Sequence, residues 1–201
     1  MIPSREEAHR LLEDAERSNL GPWVKHSKAV AFCAEKIAMN CVGLDAEKAY
    51  VFGLLHDIGR KFGVKHLAHV YDGYIYMKSL GYDEVARICI THSFAVKSLI
   101  SYVGNCDVTE DVKLFVEEYI EKTQYDDYDR LIQLCDAMGS AQGVVSVEKR
   151  MADVKVRYGY YPQEKWDKHI ELKGYFSQKV GKNVYELFCE KDLLNEEGGC
   201  A

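Results

Sequence analysis

Apolar residues along this chain recur at helical spacing from one end to the other, and the alternation of a half-buried strand is almost absent. That pattern restricts the fold to packed helices. The punctuation divides them. Ser4 with Glu7, after Pro3, has capping-box spacing and opens a first helix reaching about Arg17, and Asn19-Leu20-Gly21-Pro22 stops it. A second helix is expected from Trp23 to Met39, a third from Asp45 to Gly59, a fourth from about His66 to Leu80, and a fifth from Asp83 to about Thr91. Further helices begin near Thr109, Asp127, Ser146 and Pro162, the last because proline suits a first helical position, and a short one spans about Asn183 to Cys189. The reading is an all-α chain forming one domain over 1–201. Its core is a helical bundle of about 20–145, with a C-terminal helical extension over about 146–201.

The 201 residues, 47% hydrophobic and 29% charged, suit one globular domain with a real core. A net charge of −6 argues against long nucleic acid as a partner, since generic polyanion binders are basic. It leaves room for a small phosphorylated ligand, which local cations can neutralise. The seven cysteines (Cys33, Cys41, Cys89, Cys106, Cys135, Cys189 and Cys200) are odd in number and form no C-x-x-C pair. Several sit in apolar stretches, where Cys acts as a small core hydrophobe, so a reducing, cytoplasmic setting is expected. No apolar run reaches the roughly 20 residues of a membrane span, and the polar N-terminus lacks a signal-peptide apolar region. Neither a membrane nor a secretory route is expected.

The chemistry begins at His56-Asp57. They follow the apolar run Val51 to Leu55, in which Gly53 permits close helix contact. A helix apolar all round is a buried one, so its end delivers an imidazole and a carboxylate inward. A buried carboxylate is costly unless paired or metal-bound. The plain alternative is a helix C-terminus that meets solvent or caps a neighbour. His26 shares its helix face with Val30, Cys33 and Ile37, at offsets of four, seven and eleven. A lone histidine there also suits a satisfied core position. Asp136 lies in the apolar stretch Leu131 to Met138 and shares a helical stripe with Ile132, Gly139 and Gly143, as if something packed closely beside the carboxylate. Three buried helices thus each offer imidazole nitrogen or carboxylate oxygen, ligands that hard and borderline metals accept.

His26, then His56-Asp57, then Asp136 in an all-helical chain resembles the H…HD…D signature of the HD superfamily. The local contexts match as well: Lys25-His26-Ser27-Lys28-Ala29-Val30, Leu54-Leu55-His56-Asp57-Ile58-Gly59 and Leu134-Cys135-Asp136-Ala137. The tetrapeptide His-Asp-Ile-Gly stands at 56–59, and the resemblance covers roughly residues 20–145. It implies an HD-domain helical bundle and a metal-dependent phosphohydrolase. Its cofactor would be one or two divalent transition metals (Fe, Mn, Co, Ni or Zn, with Mg open). The segment from His69 through Gly73 and Gly81 to His92 is similar to that of dinuclear HD proteins. By that resemblance His26, His56, Asp57 and Asp136 hold a first metal, and His69 and His92 a second across a bridging Asp57. A mononuclear site, with His69 and His92 touching substrate or donating protons, stays open. His66 is the rival to His69, and His9 and His169, on polar helices, are read as surface.

Arg60 and Lys61 follow the His-Asp-Ile-Gly element, where they could neutralise substrate phosphate or simply complement a helix dipole. Asp57, Arg60 and Lys61 are therefore the candidate catalytic residues. Arg150 and Arg157 resemble basic positions after the last ligand in some HD proteins. They join Arg60 and Lys61 as candidate substrate contacts, with solvated surface the competing reading. The aromatics Tyr158, Tyr160, Tyr161, Trp166, Tyr175 and Phe176 suit core or a homodimer contact. The expected reaction is hydrolysis of a phosphate ester or anhydride of a nucleotide or other small phosphorylated metabolite. Two other functions fit the family: a non-haem di-iron oxygenase with the same ligand set, and a non-catalytic nucleotide-binding module.

Overall fold

The computed structural model describes residues 1–189 and 192. Cys200 and the end of the expected extension lie outside the described residues. Nine α-helices account for most of those described: α1 (Arg5–Ser18), α2 (Trp23–Ala38), α3 (Ala46–Leu55), α4 (Ala68–Ser79), α5 (Asp83–Thr91), α6 (Glu110–Lys122), α7 (Asp127–Asp136), α8 (Val147–Tyr158) and α9 (Gln163–Val180). Short 3₁₀ helices occupy Ile58–Phe62, Leu99–Ser101 and Val184–Leu187. The fold is all-α. No helix among the described residues is long and apolar enough to cross a membrane.

The start signals act largely as local chemistry dictates. Ser4, Asp45, Thr109, Asp126 and Ser146 each accept a backbone N–H of the first turn that follows them. The capping box expected at Ser4 is only half formed. Ser4 Oγ accepts from the Glu7 backbone at 3.2 Å, but the Glu7 carboxylate turns to Arg10. The full reciprocal box forms at Asp126 and Asp129 instead.

Helix α2 lies against α3, α7 and the hairpin that follows α7. It buries His26, Val30, Cys33 and Ile37 along one stripe. Helix α3 is buried from Val51 to Leu55, as its unbroken apolar run requires. Gly53 lets it reach the α2 backbone, because a Cβ there would stand 2.7 Å from Ala31 Cα. The main core draws on α1, α2, α3, α5 and α7 and extends to Met151, Leu172 and Phe176 of α8 and α9. A smaller cluster of Leu67, Val70, Ile90, Phe94, Val116 and Ile120 joins α4, α5 and α6.

Two expected helices change course where the site is built. The third stops at Leu55, not Gly59, and a 3₁₀ turn takes over from Ile58. The cause is the packing of Gly59, where a Cβ would stand 1.9 Å from His69 O and 2.5 Å from Gly73 N. The backbone there lies directly on α4. The helix carrying Asp136 ends at that residue, so Gly139 and Gly143 share no helical stripe with it. They belong to an antiparallel hairpin, β1 (Gly139–Ser140) and β2 (Gly143–Val144), with Gly139 opposite Val144 and Ser140 opposite Gly143. Gly143 has φ +139°, which no other residue adopts readily, and a two-residue strand is too short to show alternation in sequence.

Candidate metal centre

Four helix ends and one helix face deliver six polar side chains to one interior point. His26 stands on the inward stripe of α2, His56 and Asp57 leave the end of α3, and His69 opens α4. His92 caps α5 and Asp136 closes α7. His26, His56, Asp57, His69 and His92 are all buried. Their potential ligand atoms form two overlapping triads, His26–His56–Asp57 and Asp57–His69–His92, with all atoms of a triad within 4.8 Å of one another. Asp57 belongs to both. Asp136 closes on the first, with Oδ1 at 2.9 Å from His26 Nε2 and 3.8 Å from His56 Nε2. On the second side, Asp57 Oδ1 stands 3.0 Å from His69 Nε2 and 3.5 Å from His92 Nε2.

Every one of the four imidazoles turns Nδ1 toward a backbone carbonyl. His26 faces Gly139 O at 3.2 Å, His56 faces Gly53 O at 2.7 Å, and His92 faces Ile88 O at 3.1 Å. His69 faces His66 O. A carbonyl can only accept, so each Nδ1 carries a proton and each ring turns Nε2 toward the cluster. This explains the hairpin, whose Gly139 carbonyl orients His26. A Cβ on Gly139 would stand 2.6 Å from Val30 Cγ2 and 3.2 Å from His26 Nδ1.

The result is a knot of acceptors. Four Nε2 atoms meet two carboxylates, and the buried Nε2 atoms of His56 and His69 have no hydrogen-bond partner. Burial pushes His56 down to about 3 and lowers His69 as well, so neither ring relieves the conflict by protonation. Burial also opposes charge on Asp57, but Arg60 and the flanking imidazoles outweigh it and hold the carboxyl well below its usual range. Asp136 is likewise raised by burial and brought lower overall by His26 and His56. Ionised carboxylates facing the unprotonated, unpartnered Nε2 atoms of His56 and His69 call for a cation between them, and this donor set, nitrogen and oxygen with oriented rings, suits a divalent metal.

A cavity of about 550 Å³ opens on this cluster. Arg60 lines it, with Nε donating to Asp57 Oδ2 at 2.5 Å and Nη1 to Lys65 O at 3.3 Å. Lys61 does not line it. Its ammonium reaches out to Tyr76, with Nζ 3.3 Å from the hydroxyl and 4.6 Å from the ring centre, because the 3₁₀ turn sends consecutive side chains in different directions. That placement corrects the expectation of a shared Arg60–Lys61 phosphate contact. Arg150 and Arg157 do line the cavity, at its rim, where both pair with Asp153. His66 lines the wall without joining either triad.

The surface reading of His169 is overturned. It is 3% exposed, lines the cavity and lies one turn beyond Lys165, which is also buried. Lys165 was not singled out by the sequence. A signal was available, since Lys165, His169, Leu172 and Phe176 share the offsets of four, seven and eleven that place His26 inward. His9 is half-buried, with Nε2 3.0 Å from the Tyr50 hydroxyl. Of the aromatics, Phe176 is core, while Tyr158 and Tyr161 line the cavity.

Comparison with known families decides what this cluster belongs to. The family model of the HD domain matches residues 23–139, which includes all six clustered side chains. The chain belongs to the HD-domain family. No curated protein and no solved structure matches it. Membership points to metal-dependent hydrolase chemistry, and the buried His and Asp groups of this HD domain can hold divalent ions. The match ends before α8 and α9, so the Lys165 and His169 side of the cavity is built by residues outside it.

Proposed function

We propose that this HD-domain protein is a metal-dependent phosphohydrolase acting on a phosphate ester or anhydride of a nucleotide or another small phosphorylated metabolite. The observation that carries the reading is the pair of ligand triads sharing Asp57 at the floor of a cavity whose wall is Arg60. His26, His56, Asp57 and Asp136 would hold one ion. His69 and His92 would hold a second, with Asp57 common to both. Bound divalent ions supply Lewis acidity, polarising phosphoryl oxygens and bringing the pKa of water toward about 7.

The chain's own groups do the rest. The carbonyls of Gly53, His66, Ile88 and Gly139 fix the four rings, so the ligand set is organised before substrate arrives. Arg60 is pinned by Asp57 and the Lys65 carbonyl, which leaves Nη2 uncommitted among the described residues and free to meet a phosphoryl oxygen. The pairing also spares Arg60 the reorganisation a mobile cation would need as charge develops on phosphorus. His66, on the wall beside Tyr158, would be a candidate to pass a proton to a departing oxygen.

The test is release of inorganic phosphate from a panel of nucleotides and sugar phosphates, with Mn²⁺, Co²⁺, Ni²⁺, Mg²⁺, Zn²⁺ or Fe²⁺ supplied. Asp57→Ala should reduce release to background. Arg60→Ala should lower it by about 10²–10³, the cost of one charge-stabilising contact. Full activity in purified Asp57→Ala would rule out this centre as the catalyst. Inactivity of the wild type on every phosphate, with substrate-dependent oxygen uptake by the iron form, would replace the hydrolase with an oxygenase.

A further inference from the structure

The cavity wall contributed by α9 contains a cation with no anion. Lys165 is 9% exposed and lines the cavity. Its Nζ donates to Ser93 O at 2.9 Å and stands 5.9 Å from the Tyr102 ring centre. No carboxylate of the described residues lies within ion-pairing distance of it. The other cavity cations are all paired: Arg60 with Asp57 at 2.5 Å, Lys65 with Asp72 at 2.6 Å, and Arg150 and Arg157 with Asp153 at 3.4 and 3.1 Å. An ammonium carries three donors, and one carbonyl satisfies one of them.

A buried ammonium without an anion is costly, and an anion entering the cavity would offset that cost. Its surroundings are arranged for a polar visitor. His169, one turn on, donates Nδ1–H to Lys165 O at 2.8 Å, and its Nε2 has no hydrogen-bond partner among the described residues. Tyr161, also on the wall, stands with its hydroxyl 3.2 Å from His169 Nδ1. Burial pushes Lys165 down to about 8, against the field of Asp136.

We infer that Lys165, with His169 beside it, forms a second anion subsite of the cavity, so that the substrate carries an anionic group besides the phosphoryl group bound at the metal centre. The inference rests on the phosphohydrolase reading and narrows it. The substrate class becomes small phosphorylated molecules with a carboxylate or a further phosphoryl group a short distance from the reacting one. Arg60 and the metal ligands take the reacting group, and Lys165 takes the other. A cavity of about 550 Å³ is sized for such a molecule.

The experiment is calorimetric titration of the manganese-loaded protein with three stable phosphonates: methylphosphonate, phosphonoacetate and methylenediphosphonate. Wild type should bind at least one of the two doubly anionic compounds about tenfold or more tightly than methylphosphonate, the gain of a desolvated charge-assisted contact. Whichever shows the gain identifies the second group as carboxylate or phosphoryl. Lys165→Met should erase the gain and leave methylphosphonate within about threefold of wild type. Its melting temperature without ligand should stay close to wild type, since a buried unpaired charge has been removed. A merely structural Lys165 would give the opposite pattern, a large fall in melting temperature with the anion preference intact. The inference is overturned if wild type binds all three alike, or if Lys165→Met keeps the preference. Should Lys165→Met fail to fold, Lys165→Gln carries the same expectation, and loss of the preference in a Lys165 variant separates this contact from chelation of the manganese by the second anionic group. Equal binding of the three would remove the subsite and leave the phosphohydrolase reading standing. A preference for two charges, with no phosphate released from any ester, would do the reverse.

Discussion

Helices α2 and α9 present the same arithmetic. On α2 the inward stripe runs His26, Val30, Cys33, Ile37, and on α9 it runs Lys165, His169, Leu172, Phe176. Both stripes begin with a group that faces the cavity and end in core. The difference lies in what meets the polar end. His26 meets Asp136 at 2.9 Å and the Gly139 carbonyl at 3.2 Å, inside a set that needs only a cation to be complete. Lys165 and His169 meet backbone carbonyls and the Tyr161 hydroxyl, with no carboxylate in reach among the described residues. One helix brings half of an ion site whose other half is protein. The other brings a cation whose complement is not. On our proposal, that contrast separates the side of the cavity that can hold a metal from the side that would read the rest of the substrate.

The largest effect that would sharpen this contrast is acid sensitivity of the α9 side. His169 lies at about 4 because burial and the Lys165 charge oppose its protonation. In the unfolded chain it returns to about 6.5. A base whose folded pKa is depressed contributes stability above its unfolded value and loses it as pH falls toward the folded one. His169 therefore gives up as much as about 3 kcal/mol between pH 6.5 and 4. Other groups titrate in the same window, so the comparison is with His169→Gln, which should lose less melting temperature between pH 7 and pH 4.5 than wild type does. Equal losses would mean that His169 is already solvated and that α9 does not close the cavity.

A smaller effect checks which face of α9 looks outward. Gly174 sits in the middle of that helix with nothing within 4 Å of an added Cβ. Gly174→Ala should stabilise by about 0.5–1 kcal/mol and raise the melting temperature by a few degrees, through lower unfolded-state entropy alone. A fall in melting temperature would place a partner against this face.

The same two helices show how far the sequence could be read. The α2 stripe stood out because its surroundings are apolar, so a single histidine among Val, Cys and Ile marks itself. The α9 stripe begins with a lysine among Gln, Glu and Asp, and its polarity hides an inward face that the spacing alone would have exposed. Helix bounds set by local caps were legible, and α5 spans Asp83–Thr91 as its pattern indicates. The 3₁₀ turn at Ile58 and the hairpin at Gly139 were not. Both depend on contacts distant in sequence, Gly59 against the α4 backbone and Gly139 against Val30 and His26. For the candidate site, the burial of His26 and His56 could be argued from neighbours, but no local pattern says that α2 and α7 meet. The pairing of His26 with Asp136 entered only through likeness to a family. Lys61 shows the converse limit. Adjacency to Arg60 suggested a shared role, and a turn of backbone separates them.

The claim on which the rest depends is that α2, and not α9, carries a metal ligand. Metal content measured by plasma mass spectrometry, after reconstitution with manganese and desalting, tests it directly on wild type, His26→Ala and His169→Ala. Wild type and His169→Ala should retain the same complement, while His26→Ala should lose at least one ion per chain. A His26→Ala protein that is folded and holds the full wild-type complement would contradict it.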